Sequence, residues 1–254
     1  MNGLLGNMPP VVKNLLILNV LMFVVSYIGK MQGIPMTYLL GGYVFNSPFF
    51  EPYQIVTHFF MHADLFHIFF NMFALVIFGS ALERAWGPKR FFIFYVATAV
   101  GAYVIHQLIG FFEVRNLEEQ LYAAGYNDLF ELKEQIIALR NGTISSFTPS
   151  VAGTNGLIEE YMMNVSVPVV GASGAVYGVL VGFAYLFPNT ELMLLFPPIP
   201  IKAKWLVLIM VGIAVFNSIQ RNPGDNIAHL AHLGGALVGF ILVFIWQKNK
   251  KNFY

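Results

Sequence analysis

Cysteine is absent from this 254-residue chain and charge is scarce: 11% of the residues are Asp, Glu, Lys or Arg, while 57% are hydrophobic. Without cysteine there is no disulfide, no thiolate nucleophile and no cysteine-based zinc site. Soluble domains carry roughly 25% charged residues, so a chain this poor in charge needs lipid as its main solvent. A net charge of +1, with Lys and Arg scattered over short loops, gives no basic field and argues against nucleic acid as a partner. Asp and Glu are missing from the interiors of the apolar runs described next, which disfavours an aspartyl protease and a proton-relay transporter. No HExxH motif accompanies His58, His62 and His67, so a metalloprotease is disfavoured. Nor is there an internal repeat of the kind that inverted-repeat transporters carry.

What is present is a series of apolar runs near the ~20 residues that span a bilayer. Six stand out, at 11–28, 65–82, 91–112, 167–187, 203–219 and 227–247. They predict an all-α polytopic membrane protein, one membrane domain over 1–254, with a polar insertion at 113–166 between helices three and four. The first run lacks a basic leader and a small-x-small cleavage site, so it is expected to stay as an anchor. Six spans bring both termini to one side, and that side holds nine of the 14 basic residues: Lys13, Arg84, Lys89, Arg90, Lys202, Lys204, Lys248, Lys250 and Lys251. Lys30, Arg115, Lys133, Arg140 and Arg221 fall on the other. The asymmetry predicts cytoplasmic termini in the plasma or inner membrane. Pro188 and the Pro197–Pro200 cluster predict a cytoplasmic turn between helices four and five.

Polar groups inside hydrocarbon are costly and mark a bundle interior or a wet cavity. On helix two, His67 and Asn71 are four apart and share a face, so both can donate to one point; two buried packing contacts would read the same way. On helix four, Ser173 sits in Gly171-Ala172-Ser173-Gly174, where the missing Cβ atoms let another chain approach the hydroxyl, although small residues in a membrane helix also serve as a packing face. Tyr177 follows one turn later. Helix six carries His229 and His232 and then Gly235 and Gly239, a GxxxG seam for close helix crossing. Packing that seam on helix four would bring the His232 imidazole towards Ser173, where it could take the serine proton and return it to a leaving amine. Asn19, His106 and Asn217 lie singly and read as packing contacts.

The three motifs, HIFFN (67–71), GASGAVYG (171–178) and AHLGGALVG (231–239), resemble in order the HxxxN, GxSGxxxG and AHxxGxxxG of the rhomboid intramembrane proteases. The turn ELMLLFPPIPIKAKW is similar as well. The resemblance covers all six spans and implies a six-helix rhomboid-type bundle. It implies Ser173 as nucleophile, His232 as general base, and His67, Asn71 and the Ser173 backbone N–H as oxyanion donors. Gly171 would shape the turn, Tyr177 would stack on His232, and Gly235 and Gly239 would permit the crossing of helices four and six. No cofactor or metal is implied, and the partners would be the bilayer and transmembrane-helix substrates that unwind into a wet pit on the outer side. An inactive relative that only binds membrane helices, or less favourably a transporter, is the alternative.

Two features depart from the family pattern. The Trp-Arg pair common in the first outer loop is missing from 29–64, and the 54-residue insertion at 113–166 is long. Within it, Leu129, Leu132, Ile136 and Leu139 predict an amphipathic helix from Asp128 to Arg140, ended by Asn141-Gly142 and preceded by a separate short helix starting near Leu117. Its apolar stripe is expected either to rest on the bundle or to lie at the membrane interface beside the active-site mouth.

Overall fold

In the computed structural model, residues 6–146, 151, 153–193, 198–220 and 226–248 are described, with the side chains of 226–228 excepted. The expectations for Pro197, Arg221, Lys250 and Lys251 lie outside the described residues. Helix α1 (Pro10–Met31) opens on a proline, whose fixed φ suits a first helical turn. Val12, Leu15, Asn19 and Ser26 form its buried stripe, while Ile17, Leu21, Val24 and Val25 are exposed towards lipid. Its Val11 and Val12 N–H groups, left over at the helix start, donate to the two carboxylate oxygens of Glu83 at 2.9 and 2.8 Å. Glu83 is 2% exposed, so a buried acceptor side chain is matched to a helix N-terminus.

The loop that follows, 32–64, contains α2 (Met36–Leu40), α3 (Gln54–Thr57) and a 3₁₀ turn at His58–Phe60. The second span, Leu65–Trp86, consists of α4 (Leu65–Ala74), a π turn (Leu75–Gly79) and α5 (Ser80–Trp86). Asp64 caps it, its side chain accepting from the His67 N–H at 2.9 Å.

Helix α6 (Pro88–Ala123) has 36 residues, and at 1.5 Å per residue it is about 54 Å long, well beyond a ~30 Å hydrocarbon core. The separate short helix expected near Leu117 is therefore absent; its residues are the C-terminal end of α6. Val114, Leu117 and Leu121 carry a buried stripe past the membrane, and no helix breaker intervenes before Gly125. Helix α7 (Leu129–Arg140) begins at its Asp128 cap, in agreement with the sequence expectation, and α8 (Asn155–Ser166) follows.

Leu129, Leu132 and Ile136 of α7 pack with Val114, Leu117 and Leu121 of α6, Ile158, Tyr161 and Val165 of α8, and Val44 of the loop after α1. The insertion thus has its own core. With Leu132 fully buried and Ile136 2% exposed, the stripe does not lie at the membrane interface, and that expectation is corrected.

The fourth span also differs from its expected 167–187. Residues 167–170 leave the helical path, with Val167 extended, Gly42 and Val169 form an antiparallel bridge, and helix α9 is only Ser173–Leu186. Gly171, at φ +116°, breaks the run in a region that favours glycine. At about 21 Å, α9 is shorter than the bilayer core. Beyond it, the expected turn is a short antiparallel hairpin, β1 (Glu191–Met193) with β2 (Pro200–Lys202). Helices α10 (Ala203–Gln220) and α11 (Asn226–Lys248) complete the chain.

Among the described residues, five helices are long and apolar enough to cross a membrane, and α9 is a shorter apolar one. Val176, Val179, Leu180 and Phe183 of α9 sit in the central core with Leu75, Phe78, Phe91, Phe94, Val207 and Val243. The protein is an integral membrane helical bundle organised around this short buried helix.

Candidate active site

Because Gly171 ends the extended segment, Ser173 is the first residue of α9. Its backbone N–H therefore belongs to the leading helical amides that have no intrahelical acceptor. The preceding strand is fixed on both flanks: Gly42 and Val169 exchange two backbone hydrogen bonds of 2.8 Å, and the Gly171 N–H donates to the His58 carbonyl at 3.0 Å. A side chain at Gly171 would not fit, since a Cβ there would stand 2.6 Å from His67 Nε2. The ring of His67 and the turn at Gly171 are thus in direct contact.

Helix α11 crosses α9 through glycine against glycine. A Cβ on Gly239 would stand 2.7 Å from the Gly178 Cα, and one on Gly235 would collide with the Gly174 backbone. One turn before this seam, His232 Nε2 lies 2.8 Å from Ser173 Oγ, within hydrogen-bonding distance. The Tyr177 ring stacks on His232, with centroids 4.4 Å apart and planes 7° from parallel. His229 is further along, its ring centroid 6.0 Å from that of His232. Beside the Ser173–His232 pair, a cavity of about 90 Å³ is lined by His58, His67, Tyr103, Gly171, Ser173 and His232, among others.

Asn71 is 6% exposed, and its amide nitrogen has no hydrogen-bond partner among the described residues. An unpaired buried donor is expensive, and a site that supplies an acceptor only transiently is one reason to keep it. It does not line the small cavity, whereas His67 does. The structure therefore brings Ser173, His232, His67, Gly171 and Tyr177 together, with Asn71 one helical turn below His67.

Several residues around the site escaped the sequence reading. Gln54, 1% exposed, donates to the Leu39 and Phe49 carbonyls at 3.4 and 3.1 Å and accepts from the Glu51 and Tyr43 N–H groups at 3.0 and 3.5 Å. The Tyr43 carbonyl accepts from the Tyr103 hydroxyl and the Gln107 amide, each at 2.7 Å. Tyr103 in turn stacks on His58 at 4.4 Å. Burial pushes the His58 imidazole down to about 4, only partly offset by its Nδ1–H donating to the Gln54 carbonyl at 2.8 Å. His62, whose ring centroid is 5.1 Å from that of His67, is likewise pushed down to about 4, by burial first and by His67 second. Both are neutral at pH 7. A buried glutamine at the start of the four-residue helix α3 leaves no periodic signal, which is why this network is invisible in the sequence.

The Rhomboid domain family model matches residues 50–116 and 140–249, leaving out most of α7 and the segment before it. The chain is 29% identical to "RHOMBOID-like protein 12, mitochondrial" of Arabidopsis thaliana, over 78% of this chain and 47% of that protein. It is 25% identical to "Rhomboid protein 1, mitochondrial" of Saccharomyces cerevisiae, over 78% and 42%. With "Rhomboid protease GlpG" of Haemophilus influenzae it shares 25% identity, over 80% and 73%. The chain spans about half the length of the first two of these relatives.

Proposed function

The chain belongs to the rhomboid family, and from that premise we propose that it is an intramembrane serine endopeptidase, a single membrane domain that cleaves transmembrane-helix substrates near the outer membrane face. The observation that carries this reading is the 2.8 Å separation of His232 Nε2 and Ser173 Oγ at a glycine-lined helix crossing. That distance favours hydrolysis over the role of an inactive binder of membrane helices, for which no such pairing is needed.

In the proposed mechanism His232 Nε2 accepts the Ser173 hydroxyl proton as Oγ bonds to the scissile carbonyl carbon. The oxygen of that carbonyl becomes the oxyanion, with the Ser173 N–H, His67 and Asn71 as donors. Collapse of the tetrahedral species breaks the C–N bond, and the amine leaves with the proton from His232. Water, deprotonated by the same imidazole, then hydrolyses the acyl ester and restores Ser173. Tyr177 holds the imidazole plane, and Gly171, Gly235 and Gly239 allow the backbone approaches that assemble the pair. The short α9 suits this chemistry, because a helix start inside the membrane envelope lets water reach a site walled by lipid-facing helices.

The substrates proposed are membrane proteins whose helix end unwinds, since only an extended segment exposes its carbonyl to attack. Helix-breaking or small residues at the cut follow from that. From the charge asymmetry we place both termini on the cytoplasmic face of the plasma or inner membrane; the names of the plant and yeast relatives above carry a mitochondrial location instead. The test is cleavage of a model transmembrane substrate by the parent chain and by Ser173→Ala, the second expected to be inert.

A further inference from the structure

Residues 117–139, which the family model does not match, hold helix α7 up to its last residue. Its last residue is Arg140, which reaches back 102 residues in sequence and donates through a terminal nitrogen to the Tyr38 carbonyl at 3.0 Å. The same guanidinium lies over three outer-loop rings, 4.0 Å from the Phe49 centroid, 5.1 Å from that of Tyr43 and 5.3 Å from that of Tyr38. Its outer side is exposed. This is the only cation over those rings among the described residues, and the loop has no Trp-Arg pair in its sequence.

The loop held in this way is the one that positions the catalytic strand. Tyr38 precedes Gly42 by four residues and Tyr43 follows it directly; Gly42 exchanges two hydrogen bonds with Val169. The Tyr43 hydroxyl also donates to the Tyr38 carbonyl, at 3.2 Å, so the acceptor that Arg140 grips is shared with the residue beside the bridge. Further along, Ser47 Oγ donates to the Val165 carbonyl at the end of α8 at 2.5 Å, and the His58 carbonyl receives the Gly171 N–H. Gly42, Ser47 and His58, all on the loop that Arg140 contacts, thus hold Val169, Val165 and Gly171.

We propose that Arg140 is a positioning residue: through Tyr38, Tyr43 and Phe49 it fixes the outer loop, and with it the strand that sets Gly171 and Ser173 against His67 and His232. The insertion acts on the chemistry itself and not on which substrates gain access. The inference rests on the serine protease reading given above.

The experiment measures, in detergent, the fluorophosphonate labelling rate of Ser173, the turnover of a model transmembrane substrate and the melting temperature, for the parent chain, Arg140→Ala and Arg140→Lys. The expected result is a roughly three- to fivefold fall in both labelling rate and kcat for Arg140→Ala, in line with one exposed cation–π cluster, with KM unchanged. Arg140→Lys, which keeps the charge but loses the planar stacking, should recover part of both. Labelling of Arg140→Ala at the parent rate overturns the proposal, and so does a change confined to KM or to substrate preference. Should Arg140→Ala fail to fold, Phe49→Leu carries the same expectation with a smaller fall, and parent-rate labelling there overturns it equally. A parent chain that does not label at all counts against the protease reading, a result distinct from either.

Discussion

The Tyr177 ring lies flat on the His232 ring, centroids 4.4 Å apart and planes 7° from parallel, although the two residues come from different helices. The contact leaves Nε2 directed at Ser173 Oγ, so its value is in orientation and not in charge. Aromatic stacking of this kind contributes ~0.5–1.5 kcal/mol. Tyr177→Ala should therefore lower kcat by about three- to tenfold with KM little changed, while Tyr177→Phe, which keeps the ring, stays near the parent. Steady-state cleavage of one substrate by the three proteins decides it; equal rates for all three would leave Tyr177 as filler.

The unpaired amide of Asn71 makes a second prediction. Were it an oxyanion donor, Asn71→Ala would lower kcat by ~10- to 1,000-fold and leave residual turnover through the Ser173 N–H and His67. Were it a packing residue, the melting temperature would fall and kcat would not. Measuring both on the same preparation separates the two.

Glu83 accepts from two amides at the start of α1 while nearly fully buried, and hydrogen bonds to charged groups are among the stronger ones. Glu83→Ala leaves both amides without this acceptor and should destabilise the bundle by about 2–4 kcal/mol. Glu83→Gln, which keeps one acceptor oxygen, should lose less. Residual activity at low temperature ought to survive in both, because the carboxylate is remote from Ser173 in the chain and serves the α1 terminus. Thermal melts in detergent, followed by activity at low temperature, test the pair.

His58 and His62 are both held near 4, below the ordinary histidine value, so the unfolded chain binds more protons than the folded one between about pH 6.5 and 4. Their neutral forms favour the fold, and that contribution is complete above about pH 6.5 and declines as the pH falls through this window, with a slope of about 1.4 kcal/mol per pH unit for each fully linked histidine. A melting temperature that drops between pH 7 and 4.5, with a shallower drop in His58→Gln, is expected. A flat profile in the parent would contradict it.

How far the sequence carried is instructive residue by residue. Gly235 and Gly239 were legible as a crossing seam because a GxxxG pattern has one dominant physical use in membrane helices, and the seam does meet Gly174 and Gly178. Asp128 and the stripe of α7 were legible because cap and period agree. The start of the fourth helix was not: 167–172 is apolar enough to extend a span, and it is the pairing of Val169 with Gly42 and of Gly171 with His58, each over a hundred residues away, that holds the segment out of the helix. The same is true of α6, where the polar residues Glu113, Arg115, Glu118 and Glu119 suggested an end to the helix although the stripe Val114, Leu117, Leu121 ran on beneath them. The partner of the α7 stripe could not be foreseen for that reason, since it is this outer end of α6. Glu83 and Gln54 are invisible for another reason: each serves backbone groups distant in sequence, and backbone groups carry no sequence signature.

The central claim is that Ser173 is a nucleophile activated by His232, and fluorophosphonate labelling of the purified protein tests it most directly, because it reads the serine's reactivity without requiring a known substrate. The account predicts one labelled site in the parent, no label in Ser173→Ala, and labelling lowered by orders of magnitude in His232→Ala, with all three equally folded. A well-folded Ser173→Ala protein that takes up the label as the parent does would contradict it.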